Sequence, residues 1–161
     1  MSRSVELAAR LRRPWLTPLV RGYSRLGDYG IGWMAAGVAV GAAKGSPRLA
    51  LELPAVVLGA FGLNVAVKRA VGRSRPVSGG LTPHLISSPT SSSFPSSHAA
   101  TAAAGAVAIG AGAPALVPVV VTAAVAMAAS RVYLGVHRGS DIAAGLVLGA
   151  LTGGAYALAM R

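Results

Sequence analysis

The stretch PSSHAATAAAGAVAIGAGAPALVPVVVTAAVAMAAS, residues 95–130, begins polar, becomes apolar, turns near Ala113-Pro114 and returns through a second apolar run to a polar end. Neither arm, Ala99–Ala113 or Ala115–Ala129, carries a charge. A spanning helix needs about 20 apolar residues, fewer when neighbours shield it, so the pattern predicts a tight helical hairpin within a membrane. Outward from it lie three more uncharged or nearly uncharged runs: Tyr29–Ala43, Leu49–Val67 and Ile142–Met160. The expected fold is therefore all-α: a polytopic membrane bundle of about five transmembrane helices over residues 27–161. A basic amphipathic interfacial segment, residues 1–26, precedes it.

Composition agrees with a membrane solvent. The 161 residues are 53% hydrophobic with mean hydropathy +0.61, more apolar side chain than a soluble domain of this size can hide. The absence of cysteine excludes a disulfide framework, thiolate catalysis and cysteine-ligated metal. A net charge of +11 raises nucleic-acid binding, but the basic residues border apolar spans and aromatics make up only 5%, so no nucleic-acid partner is expected.

In the N-terminal segment Arg3, Arg10, Arg12, Arg13, Arg21 and Arg25 alternate with Val5, Leu7, Leu11, Trp15, Leu16, Leu19 and Val20. Such a pattern suits a helix lying on an anionic leaflet, with Pro14 and Pro18 expected to break it into short pieces. It lacks the continuous apolar run and cleavage site of a secretory signal. Glycines recur every fourth residue at Gly37, Gly41, Gly45 and at Gly145, Gly149, Gly153. These stripes predict close helix approach, mainly within the chain, with a homodimer through the glycine-rich helices as the alternative.

Alternating the spans across the membrane gathers three polar clusters on one face: Lys68 to Pro76, Pro95 to His98, and Ser130 to Asp141. Lysine, several arginines, hydroxyls and helix N-terminal amides suit a dianionic group. His137 and Asp141 stand one helical turn apart, so the carboxylate can orient the imidazole as a nucleophile, leaving His98 as the acid–base group. A metal hydrolase is the competing chemistry, but two histidines and one aspartate amid so many cations make a poor divalent site, so neither metal nor cofactor is expected. His84 fits no cluster, and Glu52 is expected to pair with Lys44 or Arg48 or to snorkel.

These residues resemble the type 2 phosphatidic acid phosphatase superfamily of lipid phosphatases. Its signature K-x6-R-P, P-S-G-H, S-R-x5-H-x3-D is matched by Lys68 with Arg75-Pro76, by Pro95-Ser96-Ser97-His98, and by Ser130-Arg131, His137 and Asp141. The resemblance implies a metal-independent phosphomonoesterase with a phosphohistidine intermediate. His137 would be the nucleophile, Asp141 its partner and His98 the general acid. Lys68, Arg75, Ser96, Ser97 and Arg131 would bind the phosphate. Ser97 stands where the family usually has glycine, and membrane members commonly have six spans where five are expected here.

The motif side carries most of the Lys and Arg, so a cytoplasmic active site at the inner (plasma) membrane is expected. With the short Ala/Gly/Arg-rich chain, this orientation resembles small actinobacterial members of arabinan precursor synthesis, which implies decaprenylphosphoryl-5-phosphoribose as substrate. Phosphatidic acid, phosphatidylglycerophosphate and polyprenyl diphosphate are the alternatives. A non-enzymatic binder of anionic lipid would have no use for the His137 and Asp141 pair. The Ser87–Ser97 tract is expected to order over bound phosphate.

Overall fold

The computed structural model describes residues 3–76, 83–87 and 90–161, and these are helical with no strand. In chain order the helices are α1 (Arg3–Arg10), α2 (Leu16–Arg25), α3 (Ile31–Ala43), α4 (Pro47–Val71), α5 (Ser97–Gly112), α6 (Val117–Tyr133) and α7 (Gly139–Ala159). Single 3₁₀ turns at Asp28–Gly30 and Pro114–Leu116 lead into α3 and α6. Local chemistry sets the ends. Ser46 caps α4 by accepting from the Leu49 amide, with Pro47 in its first turn, and Gly72 closes it in the left-handed region at φ 63°.

Among the described residues, three stretches are long and apolar enough to cross a membrane: Pro47–Val71, Pro114–Tyr133 and Gly139–Ala159. Helices α3 and α5 are shorter, at 13 and 16 residues. Large apolar side chains such as Leu51, Leu58, Val119, Val125 and Leu151 face outward, an apolar exterior suited to lipid.

Helix α5 is the axis of the bundle. Every residue from His98 to Ala106 is buried, and α3, α4, α6 and α7 surround it. Its Ala-rich surface makes it thin, and α7 turns its glycines toward it. A Cβ at Gly145 would lie 2.5 Å from the Ser96 carbonyl oxygen, and one at Gly149 would collide with the Ala100 carbonyl. In α3, Gly37 abuts Leu53 and Gly41 abuts the Ala50 backbone, while Gly45 meets nothing and forms the turn at φ 60°. Gly37, Gly41 and the α7 stripe are thus used in close helix approach inside the chain.

The amphipathic segment folds as α1 and α2, interrupted over residues 11–15. The expected break at Pro18 does not occur, because Pro18 lies in the first turn of α2, where its missing N–H has no helical acceptor to lose. Leu7, Leu11, Trp15 and Leu19 are exposed, while the other face docks on the bundle. Arg12 Nε donates to the Tyr133 carbonyl at 3.0 Å, the Gly139 amide to Ser4 Oγ at 3.0 Å, and Tyr23 Oη to the Ala123 carbonyl at 2.6 Å. At the opposite end Glu52 accepts from Arg48 at 2.6 Å and from Tyr156 at 3.0 Å, tying α4 to α7.

Candidate active site

The polar clusters lie at the end of the bundle where α4 and α6 finish and α5 and α7 begin. Lys68 and Arg131 are in the last turns of their helices and Asp141 in the first turn of α7, so helices carry residues that the sequence pattern places beside or within loops. Cations near helix C-termini and an anion near an N-terminus agree with the helix dipole. Residues 77–82 and 88–89, within the expected polar loop and the Ser87–Ser97 tract, lie outside the described residues.

A cavity of about 1700 Å³ opens here, lined by Lys68, Arg75, Ser97, His98, Arg131 and His137 among others. His137 sits on the connection between α6 and α7, only 2% exposed. Its Nδ1 faces Asp141 Oδ2 at 3.6 Å, an ion-pair distance longer than a hydrogen bond, and its Nε2 faces Arg75 at 3.2 Å. Burial holds its pKa down to about 4 against the pull of Asp141, so the ring is neutral near pH 7. With the Nδ1 proton toward Asp141, the Nε2 lone pair points into the cation-rich space.

Asp141 is fixed from three directions. Oδ1 accepts from Arg73 at 2.9 Å, Oδ2 from the Arg138 amide at 2.9 Å, and its carbonyl from the Ser96 amide at 2.9 Å, joining α7 to the start of α5. Arg73 also lies over the Phe94 ring, 4.4 Å from its centroid. Arg73 thus neutralises Asp141, and Lys68, Arg75 and Arg131 supply more positive charge than the carboxylates facing them.

The remaining predicted groups converge unevenly. Lys68, 7% exposed, donates to the Ser92 carbonyl at 2.5 Å, and Arg75 donates to the carbonyls of Ser91 and Val136. Arg131, 3% exposed, gives one guanidinium nitrogen to Ser24 Oγ at 2.5 Å, while its buried Nε has no hydrogen-bond partner among the described residues. Ser96 Oγ is spent on the Ala99 amide as the α5 cap. Ser97 turns its hydroxyl to Asn64 Oδ1 at 2.7 Å, and Asn64 holds the Pro95 carbonyl at 3.3 Å. His98 Nε2 lies 3.2 Å from both the Ser24 carbonyl and Asp28 Oδ1. His84 lines the cavity with Nε2 2.9 Å from the Pro76 carbonyl oxygen. No group of three His, Cys, Asp or Glu side chains able to hold a metal forms among the described residues.

Three residues at the site, Ser24, Asp28 and Asn64, are absent from the sequence reading, and Arg73 enters it only as part of the Lys68 to Pro76 cluster, without a role of its own. Arg73 lies inside the Lys68 to Arg75 spacing, at a position that the spacing leaves open. The others reach the site only through tertiary contacts.

The chain belongs to the PAP2 superfamily, whose profile matches residues 49–161, and it is a membrane phosphatase, a phosphoric monoester hydrolase. It is 36% identical over 149 residues to decaprenylphosphoryl-5-phosphoribose phosphatase of Mycobacterium tuberculosis, in strains CDC 1551 / Oshkosh and ATCC 25618 / H37Rv, covering 91% of this chain and 81% of each relative. It also resembles the crystal structure of a transmembrane PAP2 type phosphatidylglycerolphosphate phosphatase from Bacillus subtilis. That similarity has a TM-score of 0.79 and 25% identity, and it covers 98% of this chain and 82% of the other.

Proposed function

We propose that the protein removes the phosphate of decaprenylphosphoryl-5-phosphoribose, without a metal, through a phosphohistidine on His137. The observation that carries the phosphate chemistry is the buried Arg131 Nε left without a hydrogen-bond partner among the described residues, in a cavity that it shares with Lys68, Arg75 and His137. A dianionic phosphate supplies the acceptor and offsets the excess charge. The donor set favours metal-independent chemistry, because the one carboxylate near His137 is already held by Arg73 and the Arg138 amide.

His137 Nε2 attacks phosphorus, forming an N–P bond as the P–O bond to the leaving group breaks. The electron pair of that bond goes to the leaving oxygen, which takes a proton from His98. Neutral His98 then takes a proton from water, whose oxygen bonds to phosphorus as the N–P pair returns to Nε2. Asp141 holds the Nδ1 proton throughout. A lipid carrier is favoured by Tyr29, Phe61 and Val65, which also line the cavity, the two rings 5.9 Å apart edge to face. The phosphosugar headgroup rests on the mycobacterial relative. The asymmetry of Lys and Arg favours a cytoplasmic site on a bundle in which α3 to α7 all span and α1 and α2 lie at the interface.

The test is phosphate release by purified protein in detergent with excess chelator, on decaprenylphosphoryl-5-phosphoribose, phosphatidic acid, phosphatidylglycerophosphate and undecaprenyl diphosphate. Chelator-resistant activity highest on the first and lost in His137→Ala is the expected result. Preference for another lipid overturns the substrate, and activity surviving in His137→Ala overturns the mechanism.

A further inference from the structure

Of the four acidic residues in the chain, Glu6, Asp28, Glu52 and Asp141, two face the two buried histidines of the site. Asp141 faces His137. Asp28, in the 3₁₀ turn between α2 and α3, places Oδ1 3.2 Å from His98 Nε2. We infer that Asp28 is a second positioning carboxylate, which fixes the His98 ring and favours its protonated form as the proton donor to the leaving oxygen. The inference rests on the phosphohistidine reading and adds a residue to it.

The turn is built to hold this contact. The Ser24 carbonyl lies 3.2 Å from the same nitrogen, and Gly27 lies so close that a Cβ there would stand 2.6 Å from His98 Cδ2. Gly30, at φ 77°, is seated on Val57 and Thr101, where a Cβ would approach to 2.8 and 3.0 Å. Tyr29 adopts a left-handed conformation at φ 55°, uncommon for a residue with a side chain and a cost that surrounding contacts must offset. The carboxylate is therefore delivered by a turn pinned on both sides.

Burial first, and then charge, explain why His98 needs it. Around the site stand Arg131 from α6, Arg75 and His137 from the connections, and Lys68 from α4, with Arg21 and Arg25 of α2 along the cavity wall. Arg131 and Arg75 both disfavour a proton on His98, whereas a carboxylate in contact favours it. The proton that His98 passes to the leaving oxygen is regained from the attacking water, so no further reactant is required.

The experiment exploits leaving groups. An alkyl phosphate such as dioctanoyl phosphatidic acid expels a strongly basic oxygen and needs a proton donor, whereas p-nitrophenyl phosphate expels a weakly basic one and does not. Asp28→Asn is expected to slow the alkyl substrate by about ten- to a hundredfold in kcat, and the aryl substrate by less than about threefold, since general acid catalysis contributes a few powers of ten. Asp28→Glu is expected to restore part of the alkyl rate, and Asp28→Asn added to His98→Ala to cost nothing more. Equal losses on both substrates would mean a structural role only, and an unchanged alkyl rate would mean no role; either overturns the inference. Loss of activity in His137→Ala beside an unaffected Asp28→Asn refutes this inference alone, whereas an active His137→Ala refutes the mechanism beneath it.

Discussion

The two ends of the bundle each carry an arginine–carboxylate pair, and the pairs differ in everything except chemistry. Arg48 and Glu52 meet at 2.6 Å within one helix, the arginine exposed and the glutamate half-buried, at the end closed by the short turn before α4. Arg73 and Asp141 meet at 2.9 Å across the fold, with the carboxylate fully buried, at the end where the long α4–α5 connection and the α6–α7 connection face each other. An exposed pair is screened and costs little to lose, whereas breaking a buried pair strands a charge. Tight turns at one end let the chain return economically; the longer connections at the other collect the groups that do chemistry.

The contrast can be tested in order of expected effect. Asp141→Asn keeps the shape but removes the charge that orients His137, and phosphate release is expected to fall by about a thousandfold, roughly 4 kcal/mol of transition-state stabilisation. Gly149→Ala drives a methyl group into the Ala100 carbonyl, and a loss of about 1–3 kcal/mol is expected, read as a lower thermal midpoint in detergent. Next comes pH. His137 has a folded pKa near 4 against 6.5 ordinarily, so between these values the unfolded chain binds more protons and stability declines as pH falls. The decline from pH 7 to pH 5 should be shallower in His137→Gln; equal slopes would show that His137 does not drive it. Glu52→Gln, at the exposed end, is expected to leave activity and thermal midpoint unchanged within error. A large effect there would erase the contrast between the ends.

Much of the helical pattern was legible because long uncharged runs admit few alternatives in a membrane. Helix α7, expected over Ile142–Met160, occupies Gly139–Ala159, and α3, expected over Tyr29–Ala43, occupies Ile31–Ala43. Capping moved the ends: Asp141 accepts from the Arg138 amide and draws the start of α7 toward the motif. The juxtaposition of Lys68, His98, Arg131, His137 and Asp141 was legible through fixed spacings. Ser24 and Asp28 were not, because a basic amphipathic segment reads as a membrane-surface element and nothing local reveals that its last turn, with the 3₁₀ turn that follows, approaches His98. The glycine stripe of α7 signalled close approach without naming α5 as the neighbour, since small residues admit any partner.

The hydrogen bond between Ser97 and Asn64 has a consequence in evolutionary terms. Ser97 brings a hydroxyl into a half-buried niche, and Asn64, one helical turn before Lys68, receives it while also holding Pro95. Mutating either residue alone leaves a polar atom of the other short of a partner. The two positions are therefore coupled: a change of Ser97 to glycine opens room at the start of α5 but leaves Asn64 Oδ1 without its donor. Substitutions at 64 and 97 should appear together or not at all.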